Sequence, residues 1–254
     1  MTLQQLLPAN LFAVLLVFAR IGSALVLMPG FGDLYVPQRA RLLLALFLSL
    51  IVASVIGPSL PRAPADPAGL AVLLFGEIVV GLLLGTIARI LLEALESGGA
   101  IVSMQLGLSA ATVFNPAAAQ QSAITSAFLT VLGTLVIFLT DAHHLMLRAL
   151  VDSYTLFVPG EMPPFEDLAS TIVRYVGLSF RLAVELSAPL IVAGTLFYVA
   201  LGLVAKLMPQ LQVFFIIMPL QIVGGLLIFA LTLVAVMRWF GDSFAAAIGG
   251  LIAS

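Results

Sequence analysis

A chain of 254 residues that is 62% hydrophobic and only 9% charged is no ordinary soluble domain, in which roughly 25% of residues are charged. A mean hydropathy of +1.23 and repeated long apolar runs mean an integral membrane protein, or one buried in a larger apolar assembly. The net charge of -2 argues against a nucleic-acid footprint, and the absence of cysteine excludes disulfides, zinc thiolates and thiol catalysis.

The N-terminus, MTLQQLLPANLF, has no basic stretch, no small-residue cleavage site follows, and Arg20 interrupts the apolar run, so no removable signal peptide is expected. The first apolar run, Asn10 to Met28, suits one bilayer crossing. Pro29-Gly30-Phe31-Gly32-Asp33 ends it, and Pro37 keeps the connection extended. The second, Leu42 to Ile56, follows Arg39 and Arg41, closes at Gly57-Pro58 and is short for a perpendicular span. Pro61, Pro64 and Pro67 mark an exposed linker from Ser59 to Gly69. The third run, Leu70 to Leu92, carries Glu77 inside and Arg89 near its end. The fourth is Ile124 to Thr140, and Asp141 to Val158 then reads as an amphipathic helix. A loop through Pro159-Gly160 and Pro163-Pro164 leads to Glu166 and Asp167, which suit a helix N-terminus.

Run five, Ser170 to Ala205, would be about 50 Å long at roughly 1.5 Å per residue, beyond a ~30 Å hydrocarbon core. Either it projects from the membrane or Pro189 breaks it. Lys206 to Gln210 reads as a tight turn. Run six, Leu211 to Met237, carries Pro219 and Gly224-Gly225, and a short amphipathic helix with Phe244, Ile248 and Leu251 on one face should follow from Arg238. The fold class is all-α, an integral membrane-type protein of about six long hydrophobic helices arranged as four plus a two-helix hairpin. The division falls at residues 1–165 and 166–254. Orientation is weakly encoded: Arg39, Arg41, Arg89 and Lys206 share one side, and Arg62, Arg148 and Arg238 the other.

The stretch from Glu96 to Gln121 differs from both neighbours. No charged residue occurs between Ser97 and Thr140. Gly98, Gly99 and Gly107 loosen the backbone, and Asn115-Pro116 signals a turn. Ser103, Gln105, Ser109, Thr112 and Asn115 alternate with Ile101, Met104, Leu106, Leu108 and Phe114. A neutral, mixed surface suits the lining of a conduit whose cargo varies in charge, because irregular backbone at membrane depth must be buried in protein or line a cavity. The alternative is an ordinary extramembrane connector.

Arg20, Glu77, Arg181 and Glu185 fall inside apolar runs, where charge is costly unless paired or facing water. Arg181 and Glu185 are spaced i, i+4, as are Arg89 and Glu93, and Arg20 with Glu77 can pair between helices. A proton relay through Glu77 and Glu185 is one reading; structural pairing, with two acids matched by two bases, is the other and the one adopted. His143 and His144 follow Asp141, but adjacent helical side chains point about 100° apart, so no metal site is expected. Met104, Met208 and Met218 read as core gap-fillers. No nucleotide loop, hydrolase elbow or zinc-helix motif occurs, so neither an enzyme nor a cofactor is indicated.

Three segments, LVLMPGFGDLYVPQRARLLLAL (Leu25 to Leu46), GLLLGTIARILLEALESGGAIVSMQLGLSAATVFNP (Gly81 to Pro116) and KLMPQLQVFFIIMPL (Lys206 to Leu220), resemble the FliR family of flagellar export-gate proteins and their relatives in virulence type III secretion. The resemblance implies a subunit assembled with FliP-like and FliQ-like partners around a pore in the basal body of the bacterial inner membrane. It implies that the first four helices resemble FliP and the last hairpin FliQ. It also implies a pore plug within residues 97–122, drawn from Met104, Gln105, Leu106, Gly107, Leu108, Ser109, Phe114, Asn115 and Pro116. Asn115 stands where some relatives carry Asp, which removes a charge and keeps the turn. The Pro209-Gln210 turn would face the cytoplasm and touch an FlhB-like component. The implied cargo is unfolded flagellar protein. A virulence export gate, or a small-molecule or ion secondary transporter, is the alternative; broken helices and buried acids would suit the latter, but no internal repeat supports it.

Overall fold

The computed structural model describes residues 9–108, 124–161, 163–207 and 213–253. Among these residues there are helices and connecting turns and no strand: α1 (Ala9–Leu27), α2 (Gln38–Ile56), α3 (Pro67–Gln105), α4 (Ile124–Leu139), α5 (Ala142–Leu156), α6 (Phe165–Leu207) and α7 (Val213–Ala253), with a short 3-10 turn at Gly57–Ser59. The all-α, membrane-type expectation is met. Five helices are long and apolar enough to cross a membrane, six if the pair α4 and α5, bent by 73°, forms one broken span. At the bend Asp141 takes a left-handed φ of 58°.

Two elements differ from expectation, and a third decides between the alternatives left open for run five. The third run does not stop near Leu92: α3 runs for 39 residues, through Gly98 and Gly99. Pro189 lies inside α6, which stays one helix of 43 residues with Glu166 and Asp167 in its first turn and Lys206 in its last. One missing amide is tolerated in a long helix whose remaining ladder is intact. The expected separate tail helix is the continuation of α7, which runs for 41 residues.

The chain divides into two compact units: Met1–Ile90, Asp141–Val176 and Ala245–Ser254 form the first, and Leu91–Thr140 and Gly177–Phe244 the second. In the first, α1 packs on α2 and buries Leu16, Val17, Ile21, Ala24 and Leu25. It approaches α3 backbone to backbone: a Cβ on Gly81 would strike the Arg20 carbonyl, and one on Gly85 would lie 2.6 Å from the Ala24 carbonyl. The turn after α1 is held by Asp33, which accepts from the Gly30 amide at 2.8 Å, the Tyr35 hydroxyl at 2.7 Å and Arg89 at 2.6 Å. Arg41 adds bonds to the Phe31 and Asp33 carbonyls. Burial pushes the Asp33 carboxyl up, but those donors outweigh it and hold the group below the usual carboxylate value.

In the second unit, Gly98 and Gly99 are contact points rather than loose joints. A Cβ on Gly99 would lie 2.5 Å from Ser126 Cα of α4, and one on Gly98 would lie 3.3 Å from the Ala183 carbonyl of α6. Ser126 donates to the Glu96 carbonyl at 2.8 Å across the same joint. Leu92, Leu95, Leu129, Ile137, Leu186 and Phe240 fill the interior. Of the apolar windows, 44% is buried for α3, but 11% for α6 and 6% for α7. Most of the surface of α6 and α7 therefore remains for lipid or other protein to cover.

Candidate functional site

The charge-free stretch begins on α3, and its described part, Ser97 to Leu108, lies in the second unit. Helix α3 ends there by a two-bond glycine cap. The Leu108 amide bonds the Ser103 carbonyl at 3.1 Å, and the Gly107 amide bonds the Met104 carbonyl at 3.1 Å. Gly107 has φ +75°, a conformation that costs other residues about 1–2 kcal/mol. Leu108 folds back against Val102, Leu106 and Leu190, the apolar contact that accompanies this cap. Of the three glycines read as loosening the backbone, only Gly107 turns the chain.

The capped end is received by α6 and α7. Gln221 Nε2 donates to the Gln105 carbonyl, left open by the helix end, and to the Tyr198 hydroxyl, both at 2.9 Å. The Gln221 amide also lies 3.3 Å from where a Cβ of Gly107 would be. A Cβ on Gly194 would collide with the Gln105 side chain, and one on Gly225 with Leu106. A cavity of about 100 Å³ remains between these helices, lined by Gln105, Leu106, Gly194, Phe197 and Gln221 among others. Each neutral hydrogen bond contributes about 0.5–1.5 kcal/mol net, so the dock is held by a few modest terms. Met104, read as a core gap-filler, is 62% exposed. Ser109, Phe114, Asn115 and Pro116 lie outside the described residues, as do the turn residues Pro209 and Gln210 and the side chains of Met208 and Met218.

Of the four internal charges, the structure joins Arg20 and Glu77. Arg20 Nε donates to Glu77 Oε2 at 2.6 Å, and Nη2 to Oε1 at 3.1 Å. Two more of its N–H groups reach Ser153 Oγ at 3.1 Å and the Phe157 carbonyl at 3.0 Å, and the Tyr154 ring lies under the guanidinium at 3.9 Å. Arg20 is 1% and Glu77 3% exposed, so this is a dry, bidentate pair. Sequence reasoning missed Ser153, Tyr154 and Phe157, which sit on α5 and just beyond it, too far along the chain for spacing to connect them with Arg20. Arg181 and Glu185 do pair, at 2.7 Å, but their side chains are 74% and 36% exposed within this chain. They are thus not buried by the chain's own helices. Arg89 reaches Asp33 at 2.6 Å, a partner 56 positions away that the i, i+4 spacing with Glu93 did not suggest.

His143 and His144 converge, against the expectation from helical spacing. Their rings lie 4.0 Å apart, and donor atoms of Asp141, His143 and His144 all fall within 4.8 Å of one another. The left-handed Asp141 and the first turn of α5 bring them together. His144 and Asp141 already pair at 3.3 Å on an exposed surface, and three such donors suit at most an open, solvent-facing cation site.

Five or six apolar helices of these lengths, with the Arg20 and Glu77 charges satisfied inside, define a multi-pass membrane protein. Residues 11–247 match the family described as bacterial export proteins, family 1. Similar proteins include the flagellar biosynthetic protein FliR of Caulobacter vibrioides, 37% identical over 92% of this chain and 94% of that protein. The FliR of Bacillus subtilis is 35% identical over 83% and 82%. The Yop proteins translocation protein T of Yersinia pestis is 32% identical over 63% and 62%. The chain belongs to family 1 of the bacterial export proteins, as a FliR-type, multi-pass inner-membrane protein of flagellar type III export.

Proposed function

We propose that this chain is a subunit of the protein-conducting gate of the flagellar export apparatus, a conduit and scaffold rather than an enzyme. It assembles with FliP-like and FliQ-like subunits and carries unfolded flagellar proteins across the inner membrane. Residues 1–165 supply the FliP-like part and 166–254 the FliQ-like hairpin, a division favoured by the two successive overlong helices α6 and α7 and their uncovered apolar faces. The Pro209-Gln210 turn contacts an FlhB-like component on the cytoplasmic side. Arg20, Glu77, Arg181 and Glu185 are structural; for the first two the four hydrogen bonds of Arg20, two of them to Glu77, support this.

Met104 to Pro116 act as the plug that keeps the pore shut at rest. The observation that carries this reading is the end of α3. A glycine-capped terminus, held by neutral contacts beside a cavity, opens directly into a segment with no charge to anchor it. A closing element must be drawn from the weakly held end of the protein. Phe114 is its seal, an aromatic ring filling a narrow aperture with little side-chain entropy to lose. Deleting residues 107–112, or Phe114→Ala, is expected to leave the assembly formed but leaky, as read by conductance or small-molecule influx at matched levels of partners. A deletion that assembles, stays as tight as the parent and exports normally would sink the plug.

A further inference from the structure

The dock that receives the end of α3 is built differently from the other joints of this chain. Elsewhere, the α1–α3 joint holds a buried charged pair, and the α3–α4 joint closes backbone to backbone at Gly99 with a single Ser126 bond. Here the joint is neutral, lies beside a cavity of about 100 Å³, and centres on one side chain, Gln221. Both donor positions of the Gln221 amide are used at 2.9 Å, one on the last helical carbonyl of α3 and one on Tyr198 of α6. Gly194 and Gly225 face Gln105 and Leu106, so no side chain of α6 or α7 hooks over the end of α3 at either contact. Tyr198 is 46% exposed, so water can take over the bonds it loses, which keeps exchange inexpensive. The space beside Gln105 and Leu106 gives both side chains room to change rotamer. Such a joint positions the helix end when made and opens without uncovering a charge.

We infer that Gln221 and Tyr198 are the positioning residues that dock the root of α3, and that passage of substrate requires this dock to release. The inference rests on the plug reading above and deepens it: it names where the plug is tethered and what must let go. Release follows the mechanical or steric demand of the arriving chain.

The test uses the assembled gate. The chain has no cysteine, and a Cβ at position 194 would lie 3.5 Å from Gln105 Cβ, inside the separation a disulfide spans. In a Gln105→Cys, Gly194→Cys double variant, oxidation after assembly should link the two positions and lower export at least tenfold, and a reductant should restore it. Gln221→Leu and Tyr198→Phe, assembled at normal yield, should raise resting influx several-fold. A disulfide that forms while export continues unchanged would overturn the inference. So would two free thiols that the oxidant never joins, or a Gln221→Leu gate as tight as the parent. The two readings fail separately: if deletion of 107–112 leaks but the locked dock still exports, the plug stands and the release of the dock falls.

Discussion

Glu77→Gln isolates what the buried pair does. The substitution keeps the shape of the side chain but removes the charge that faces Arg20. In the parent, Nε and Nη2 of Arg20 both donate to the carboxylate; in the variant one of those positions meets an amide N–H. Arg20 is 1% exposed, so water cannot replace the lost acceptor without opening the packing of α1, α3 and α5. Removing one partner of a buried pair costs about 3–5 kcal/mol, or roughly two to three and a half powers of ten in an equilibrium constant. The expected outcome is a sharp fall in the yield of assembled complex on co-expression with FliP-like and FliQ-like partners, and a lower thermal midpoint for what forms. The double variant Arg20→Met, Glu77→Leu, which removes both charges and keeps volume, should recover most of the loss. The pH dependence of export by surviving complexes should match the parent. Normal yield with loss of proton-coupled export would refute the structural assignment and favour a relay.

Asp33 sets an acid limit on the turn after α1. Its carboxyl titrates below the ordinary 3.8 in the folded chain, so its stabilisation is complete above that value and is lost as pH falls through the folded value; the protection of the Gly30 amide, its exchange rate relative to the unstructured rate at the same pH, should hold from neutral pH down and fall only below about 3.8, and a fall already at pH 6 would contradict the assignment. Gly99→Ala places a methyl against the Ser126 backbone and should destabilise the α3–α4 joint by about 1–3 kcal/mol, measured as a lower thermal midpoint, with Gly57→Ala, where nothing lies near, as the neutral control. A photo-crosslinker at Gln210 should capture an FlhB-like protein; capture of periplasmic proteins alone would reverse both the contact and the orientation.

The apolar runs were legible because a membrane span leaves a length and composition signature that local sequence carries whole. The Arg20–Glu77 pair was legible because opposite charges in hydrocarbon must meet or be hydrated, whatever the fold. The Arg181–Glu185 pair followed from helical spacing, but its exposure did not, since burial depends on which neighbours arrive. Gly98 and Gly99 misled because glycine's weak helix propensity is a local quantity, whereas the close approach of α4 and α6 that requires glycine is a tertiary one. Gln221 left only a faint trace, a lone amide two residues beyond Pro219 in an apolar run. Its partner carbonyl lies 116 positions away, and no spacing rule reaches that far.

The lengths of α6 and α7 carry a consequence for how the protein sits in its surroundings. At 43 and 41 residues they would extend about 65 and 62 Å at 1.5 Å per residue, about twice a ~30 Å hydrocarbon core. A helix whose apolar band matches the bilayer has one preferred waterline, and each ångström of displacement costs it a fraction of a kcal/mol. The charge-free runs of these helices, Leu186 to Ala205 and Val213 to Met237, are only about 30 and 38 Å long at 1.5 Å per residue, so lipid can cover one stretch of each helix but not the turns that carry Arg174, Arg181 and Glu185 or Arg238 and Asp242. Lipid alone therefore leaves a large part of each helix uncovered. Whatever covers that surplus in the assembled complex must satisfy its charges and its apolar turns together, and where that gain outweighs the lipid's it lets the same helices stand higher than a bilayer alone would hold them.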